Sequence, residues 1–266
     1  MPPHDARLGA LRPPELQTVP AQAYWRGTAD LVGFVAFVGS LAQGADRARA
    51  VARHALEQSG PISEADPESE RGVRNQLGRY SPMLGHLMLG RAVDNYLSYL
   101  SDLLALLFTE RPETLRSREK VDLEFVLQWE TMAELQDALA ERRVENLAYK
   151  GMDDLAEYVS RTLNFELFQS PQLRAEVRHT VERRNLIVHK RGVIDRRYVQ
   201  RVGEADGKPG QPLDLGGSQT LDAISGLCIA VADIDDRASE KWSLSRGQDR
   251  PLTADEHDAS ASEKPS

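Results

Sequence analysis

A basic segment between Arg174 and Arg201, RAEVRHTVERRNLIVHKRGVIDRRYVQR, contains the residues with the clearest chemical potential. It has nine Lys or Arg residues and three acidic ones, a net charge of +6, whereas the whole chain carries −8. The rest of the chain therefore carries −14. A local cationic surface on an acidic protein attracts anions such as phosphates. A solvated helix rich in Arg and Glu would give the same count, so the order of residues inside the segment matters more than its charge.

Arg184, Asn185 and His189 combine residue types that can cleave a phosphodiester without a metal ion. A histidine can take a proton from a ribose 2′-hydroxyl or return one to a leaving oxygen. An arginine holds the phosphate and stabilises the charge of the transition state. Arg184 and His189 are five positions apart, which places them about 140° apart around a helix axis. They can converge if the helix unwinds after His189, near Gly192, or if two copies of the helix meet across a symmetric interface.

Three apolar residues between Asn185 and His189 indicate that this part of the helix is packed on several sides. The neighbouring polar side chains are then held on a rigid element. A purely structural role fits the same spacing. In that interpretation His189 caps the helix and Arg184 pairs with a neighbouring carboxylate, and the spacing leaves both roles open.

Patterns typical of other reaction centres are missing from the sequence. The six histidines are scattered, with none four positions from another, so we expect neither a metal site nor a cofactor. Cys228, the single cysteine, lies in the apolar stretch SGLCIAVA, where a thiol is usually part of the core. One cysteine cannot form an internal disulfide, which is compatible with a reducing compartment, and we expect a cytoplasmic location.

Apolar residues at helical spacing predict an all-α fold. We expect helices over 27–59, from 71 to before Arg111, over 117–144, after Gly151, over 171–189 and over 219–242. The second is predicted to have a wide apolar face of Val93, Tyr96, Leu97, Leu100, Leu103, Leu104 and Leu107. The third is predicted to have an inner stripe of Phe125, Trp129, Met132 and Ala133, and the fourth one of Met152, Leu155, Ala156, Val159 and Leu163. Gly192 is expected to end the helix that carries Arg184 and His189.

Composition divides the chain into five segments. We predict a disordered Pro-rich leader over 1–22, an N-terminal helical extension over 23–60, an acidic linker over 61–71, a helical domain over 72–242 and a disordered tail over 243–266. No export signal is expected at the N-terminus. The uncharged stretch from Leu31 to Ala42 has 12 residues, short of the roughly 20 that span a bilayer. It is predicted to be a buried or partner-facing helix, and no membrane association is expected.

The motif RRNLIVHKRGVID resembles the signature of the HEPN superfamily, in which an Arg, a polar residue and a His follow the pattern R-polar-x-x-x-H near the end of a helix. His189 to Gly192 also matches the H-x-x-G continuation of that signature. The element order over residues 72–240 resembles the RiboL-PSP-HEPN subgroup, from GRAVDNYLSYLSDLLALLF through AYKGMDDLAEYVSRTLNFELF to the motif helix and a closing helix. The helix over 23–60 is not part of the minimal domain of that family.

The resemblance implies an antiparallel helical bundle that works as a homodimer and cleaves RNA without a metal ion. Arg184 would bind the scissile phosphate, Asn185 would orient the site, and His189 would be the acid/base group. Three further basic residues are expected to contact RNA: Arg183, Lys190 and Arg191. The resemblance also implies a role in bacterial defence or a toxin–antitoxin system, with an antitoxin or another regulatory protein as a partner. Some toxin members have a tyrosine two residues after the histidine, and Arg191 stands there in this sequence.

Two interpretations from other functional classes remain open. A catalytically silent module would keep the dimer and the basic groove, and would bind RNA or a protein without cutting RNA. A structural adaptor would dock its partner on the stretch from Leu31 to Ala42 and would have no affinity for RNA. RNA cleavage that persists in EDTA and depends on His189 distinguishes the enzyme from both.

Overall fold

The computed structural model describes residues 11–57, 72–115, 121–148 and 151–248. We number its helices in chain order: α1 Val19–Glu57, α2 Val73–Arg79, α3 Ser81–Glu110, α4 Leu123–Val126, α5 Met132–Ala148, α6 Met152–Leu163, α7 Pro171–Lys190, α8 Arg196–Val202 and α9 Gly217–Trp242, with a 3₁₀ turn at Pro112–Leu115. Within these ranges there is no β-strand, and two isolated bridges pair Gln17 with Gly247 and Val193 with Pro212. The all-α prediction is confirmed.

Helix α3 is the centre of the bundle, because α1, α5, α7 and α9 all pack against it. The predicted apolar face of α3 is buried apart from Leu97, which is partly exposed. From α9 the same core receives Ile224, Leu227 and Val231, all fully buried. The periodic spacing therefore identified the faces that hold the bundle together.

The N-terminal part of the chain joins the core earlier than the sequence suggested. Helix α1 begins at Val19, where the Thr18 hydroxyl accepts a hydrogen bond from the Ala21 amide (3.4 Å) as a helix cap. Thr18 is itself fixed to α9, because its amide (3.1 Å) and its hydroxyl both donate to the buried Asp235 carboxylate. Ala21, Tyr24 and Trp25 lie in the core beside α3 and α9.

This arrangement differs from the predicted division of the chain. Residues 11–22 are not a disordered leader, because Gln17 and Thr18 are buried and Gln17 pairs with Gly247. The first turns of α1 belong to the same core as the domain predicted over 72–242. Leu244 is also buried, so that core continues into the predicted tail. The predicted linker at 61–71, residues 1–10 of the leader and residues 249–266 of the tail lie outside the described residues.

The middle of α1 leaves the core and presents large apolar side chains to solvent, among them Phe34, Phe37 and Leu41. By length and composition alone, the helix from Val19 to Leu56 meets the criteria for crossing a membrane, with a mean hydropathy of 1.3 in its most apolar part. Only 11% of that most apolar part is buried, unlike the core helix of a soluble protein, although the first turns of α1 do lie in the core. The helix is long enough to cross a membrane because it continues on both sides of the uncharged stretch from Leu31 to Ala42.

The prediction of a single helix over 117–144 is wrong. The described residues form the short α4 and the longer α5, separated by a turn. A new helix starts because Thr131 and Glu134 form a reciprocal cap, in which the Glu134 amide donates to the Thr131 hydroxyl (3.2 Å) and the Glu134 carboxylate accepts from the Thr131 amide (3.1 Å). The new start changes which residues face inward. The predicted inner stripe is not buried, and α5 instead buries Ala138 and Ala140.

Helices α6 and α7 match their predicted patterns. The five predicted inner residues of α6 are all buried. Helix α7 starts after Ser170, whose hydroxyl accepts from the Leu173 amide (3.3 Å), with Pro171 at the first helical position. It ends where Arg191 (φ 54°) and Gly192 (φ 72°) both adopt left-handed conformations. The predicted stop near Gly192 is confirmed.

Candidate functional site

The motif residues lie on the last two turns of α7, which stays α-helical through Lys190. Unwinding after His189 therefore does not bring Arg184 and His189 together. Arg184 points toward α3, whereas His189 is exposed at the end of the helix. Of the two routes to convergence, the structure excludes the unwinding, and the meeting of two motif helices stays a prediction.

The Arg184 side chain is held by Asp94 of α3. Its Nε and Nη2 atoms donate to Asp94 Oδ1 at 3.0 and 2.7 Å. Its third nitrogen, Nη1, donates to Asn185 Oδ1 at 3.4 Å. The Arg184 side chain is 23% exposed and that of Asp94 is 47% exposed. The guanidinium is thus oriented by a carboxylate that water can reach, which is the pairing that the structural interpretation of Arg184 predicts, and such half-exposed pairs hold weakly.

Asn185 and His189 line one side of an open groove of about 250 Å³ between α7 and α8. The opposite side carries Arg197 and Arg201 from α8. Lys190 also lines the groove. Glu182 and Asp195 line it as well, so the groove carries both signs of charge, with Lys190 and Arg197 as its unpaired cations. It includes two of the three predicted catalytic residues, but not Arg184.

Only some of the basic residues in the segment 174–201 are free to bind an anion. Five of the nine basic residues form ion pairs: Arg174 and Arg178 with Asp153, Arg183 with Asp206, Arg184 with Asp94, and Arg201 with Glu182. The other four make no ion pair with any residue in the described parts of the chain: Lys190, Arg191, Arg196 and Arg197. All four are exposed and lie at the end of α7 or the start of α8. The cations that remain free to bind an anion thus all follow His189 in the sequence, at the end of α7 and the start of α8.

The prediction that Arg183 contacts RNA does not fit its position. Its Nε atom donates to Asp206 Oδ2 at 2.9 Å, and its Nη2 atom donates to Asp206 Oδ1. The side chains of Arg183 and Asp206 are only 14% and 5% exposed. Binding a phosphate would require breaking this bidentate pair and leaving a buried carboxylate alone. We therefore assign Arg183 a structural role.

Asp206 is the centre of a polar cluster that the sequence analysis missed. His179 Nε2 lies 2.6 Å from Asp206 Oδ2, and the Tyr198 hydroxyl donates to the same oxygen. Burial alone would raise the pKa of Asp206, but hydrogen bonds from Arg183, His179 and Tyr198 outweigh it and hold the pKa well below its usual range. Burial, with Asp206 beside it, raises the pKa of the Tyr198 hydroxyl. These shifts favour one ionic state, in which Asp206 is charged and Tyr198 is neutral.

This cluster holds the second wall of the groove in place. His179 and Arg183 are on α7, Tyr198 is on α8, and Asp206 is in the loop that follows α8. Helix α8 is also capped by Asp195, which accepts from the Tyr198 amide at 2.7 Å. The orientation of α8, and with it the side chain of Arg197, is thus coupled to a network centred on one carboxylate. No local spacing signals this network, because Asp206 follows Arg183 by 23 positions.

The turn after His189 is packed closely against α3. A Cβ atom at Gly192 would lie 3.0 Å from His86 Cε1. His86 is in turn placed by the Leu213 carbonyl, 3.2 Å from its Nε2 atom. The positive φ at Gly192 and this close approach both favour glycine, so the end of the motif helix has a fixed position relative to α3.

Other candidate centres give no comparable arrangement. Within residues 11–57, 72–115, 121–148 and 151–248, no three His, Cys, Asp or Glu side chains are grouped so that they could hold a metal ion. Cys228 is fully buried, as expected, and burial raises the pKa of its thiol to about 11. A thiol in that state is a poor nucleophile.

Comparisons with known proteins return no relative: no protein-family model, no curated protein and no solved structure matches the chain.

Proposed function

We propose that this protein is a HEPN-type endoribonuclease that cleaves RNA without a metal ion and works as a homodimer. One observation supports the proposal most strongly. Asn185 and His189 face a groove whose neighbouring cations, Lys190 and Arg197, are free of carboxylate partners in the described structure. The geometry offers a phosphate both charge and a titratable group within one groove.

The proposed reaction is an attack of the ribose 2′-hydroxyl on the adjacent phosphorus. The bond from the 2′-oxygen to phosphorus forms and the bond from phosphorus to the 5′-oxygen breaks. A histidine takes the proton of the 2′-hydroxyl, and the leaving 5′-oxygen gains a proton. The products are a 2′,3′-cyclic phosphate and a 5′-hydroxyl. His189 fits the acid/base role because its ring is exposed to the groove rather than buried in the core.

Arg184 stabilises the phosphate charge in this proposal, and Asn185 connects it to the groove. The Asn185 amide oxygen accepts from Arg184 while the residue lines the groove with His189. Asp94 orients the guanidinium through two nitrogens, and Nη1 donates to Asn185 Oδ1. A charged arginine pre-positioned in this way lowers the cost of organising the site during the reaction.

The biological setting follows from the resemblance alone. A cytoplasmic toxin–antitoxin or defence ribonuclease would need an antitoxin or another regulatory protein to restrain it. The exposed cations at residues 190, 191, 196 and 197 offer an acidic regulator the same binding surface as RNA.

A catalytically silent module is the second candidate. The observation that favours it is the ion pair between Arg184 and Asp94, because a guanidinium occupied by a carboxylate needs no phosphate to satisfy it. Such a module would bind RNA through the same groove without forming products.

The test is cleavage of a labelled single-stranded RNA in the presence of EDTA. The enzyme proposal expects cleavage by the wild type and its loss in His189→Ala, with His54→Ala as a control on the exposed end of α1. RNA binding without cleavage by the wild type would support the silent module. Equal cleavage by wild type and His189→Ala would refute the assigned site.

A further inference from the structure

The outward side of α1 is apolar over most of its length. Exposed residues that follow one another at intervals of three or four positions lie on one side of a helix. Seven exposed residues of α1 form such a row: Gly33, Phe37, Leu41, Gly44, Ala48, Val51 and Ala55. Phe34 lies beside Phe37, and we call these eight residues the α1 stripe. The ends of the row are 22 positions apart, about 33 Å along the helix.

The large side chains of the α1 stripe lie in solvent. Phe34, Phe37, Leu41 and Val51 are 62%, 58%, 56% and 71% exposed. Another side of α1 packs against α3 and includes the buried Ala42. Single exposed apolar residues are ordinary on protein surfaces, whereas a continuous row of them marks a site of interaction.

The charged residues of this part of the protein are almost all basic. Residues 31–56 and 72–93, from α1, α2 and the start of α3, contain one acid, Asp46, and six arginines: Arg47, Arg49, Arg53, Arg74, Arg79 and Arg91. These three helices contact one another. None of the six arginines forms an ion pair with a residue that the structure describes. Asp46 accepts from the amides of Val73 (2.6 Å) and Arg74 (3.0 Å) at the start of α2.

We propose that the α1 stripe binds the surface of an anionic lipid bilayer. A helix that lies in a membrane interface buries a row of apolar residues, with Phe or Leu among them, and places arginines where they reach the headgroups. Arg47 and Arg49 lie about 100° to either side of Ala48 around the helix axis, so they flank the stripe. The inference stands apart from the proposed ribonuclease activity and replaces the expectation of no membrane association.

The contacts of α1 with the bundle require it to lie on the membrane rather than cross it. At its start, the Tyr24 carbonyl and the Thr28 hydroxyl accept from Asn95 of α3 at 2.8 and 3.1 Å. Further along, Ala42 is buried and Asp46 binds the start of α2. Crossing would break these contacts and move arginines through hydrocarbon, which is costly.

The chemistry of the α1 stripe favours lipid over a second copy of the chain. Protein interfaces have about one hydrogen bond per 100–200 Å², whereas no side chain of the stripe can form one. A copy docked through the same stripe would also bring the arginines of both chains together, and like charges repel across an interface. Anionic headgroups attract those arginines.

One pair of variants tests the apolar part of the surface. Phe37→Asp places a charge in the middle of the α1 stripe. Leu127→Asp is the matched control, because Leu127 is 74% exposed directly after α4 and lies outside the stripe. Both substitutions are at exposed positions, and circular dichroism confirms that each variant keeps the helicity of the wild type.

A second pair tests the basic part. The double variant Arg47→Gln/Arg49→Gln removes the two charges that flank the α1 stripe. Its control, Arg161→Gln/Arg174→Gln, changes the net charge by the same amount. Both control arginines already pair with carboxylates of α6, Arg161 with Glu157 and Arg174 with Asp153.

The measurement is binding of the full chain to phosphatidylcholine/phosphatidylserine vesicles by flotation. We expect the wild type to bind, and Phe37→Asp to bind at least about tenfold more weakly because a buried Phe is replaced by a charge. The loss for Arg47→Gln/Arg49→Gln should be about 25-fold, at about fivefold for each arginine, and both controls should stay within about twofold of the wild type. Because the acidic segment 61–71 joins α1 to α2 in the sequence, pure phosphatidylcholine vesicles test the need for anionic lipid directly, and binding to them should be weaker.

Four results would overturn the inference. The first is a wild type that does not bind the mixed vesicles, and the second is binding that Phe37→Asp and Arg47→Gln/Arg49→Gln both keep, since the lipid would then contact another surface. The third is bound protein that resists extraction with alkaline carbonate, because the helix would then have left the bundle and inserted. The fourth is self-association in sedimentation equilibrium that Phe37→Asp abolishes, which would show that a second copy covers the α1 stripe.

Discussion

Replacing Asp206 with asparagine should destabilise the protein far more than replacing an exposed partner of another arginine. Asp206 receives hydrogen bonds from Arg183, His179 and Tyr198, and its carboxylate is almost completely buried. Asparagine keeps the size of the side chain and removes the charge. The bidentate acceptor of Arg183 is then lost, and a mostly buried guanidinium keeps its charge without a counterion.

Breaking a buried ion pair by removing one partner typically costs about 3–5 kcal/mol. Arg183 is slightly accessible, so water recovers part of that cost, and we expect a loss of about 3 kcal/mol in the free energy of unfolding. The matched control is Asp236→Asn, because Asp236 pairs with Arg246 while 69% exposed. Exposed pairs contribute at most about 1 kcal/mol, so the control should lose no more than that.

The assay is urea unfolding of both variants and the wild type at one protein concentration, followed by circular dichroism at pH 7. The pKa of Asp206 is depressed in the folded state, so its contribution is complete above the unfolded pKa of about 3.9 and is lost as the pH falls below it. The difference between wild type and Asp206→Asn should therefore shrink in acid. A loss for Asp206→Asn no larger than that of Asp236→Asn would refute the reasoning, as would a difference independent of pH down to pH 3.

Three further outcomes follow from individual side chains. Tyr96→Phe should leave stability unchanged or raise the melting temperature, because the Tyr96 hydroxyl is buried without a hydrogen-bond partner among the described residues; a clear loss would show that it has one. Cys228 should resist a thiol reagent at pH 8 until the protein is unfolded in urea, since burial raises its pKa to about 11; rapid labelling of the folded protein would contradict this. Lys190→Glu and Arg197→Glu should each weaken RNA binding and reduce its salt dependence, measured by fluorescence anisotropy. Arg174→Glu should weaken RNA binding less, because Arg174 already pairs with Asp153 in the wild type.

The helices were predictable where burial is periodic along the chain. The inner residues of α6 and most of the apolar face of α3 follow directly from spacing, because a helix repeats its buried side every three to four residues. The end of α7 was predictable from Gly192 for a similar local reason. The first residues of the helices were harder to predict, since they depend on capping hydrogen bonds. Thr131 and Glu134 form a reciprocal cap that separates α4 from α5, and the helix that starts there leaves the predicted inner stripe outside the core.

The candidate site was predictable only as a local motif. Arg184, Asn185 and His189 lie within two turns of one helix, so their relation follows from helical geometry. The carboxylates that bind the arginines of this helix do not follow from helical geometry. Asp94 is 90 positions from Arg184, and Asp206 lies in a Gly/Pro-rich loop, so the pairing of each carboxylate depends on how the helices pack. This is why Arg183 resembled an RNA ligand in the sequence and is a buried structural residue in the fold.

The most direct test of the proposed ribonuclease is the chemistry of its products on one defined RNA. Incubation in EDTA should give a 5′ fragment ending in a 2′,3′-cyclic phosphate and a 3′ fragment starting with a 5′-hydroxyl. A single 2′-deoxyribose at the mapped cut site should abolish cleavage there, because the attacking hydroxyl is gone. Cleavage that continues at the deoxyribose position, or that leaves a 5′-phosphate, would contradict attack by the 2′-hydroxyl and with it the assigned role of His189.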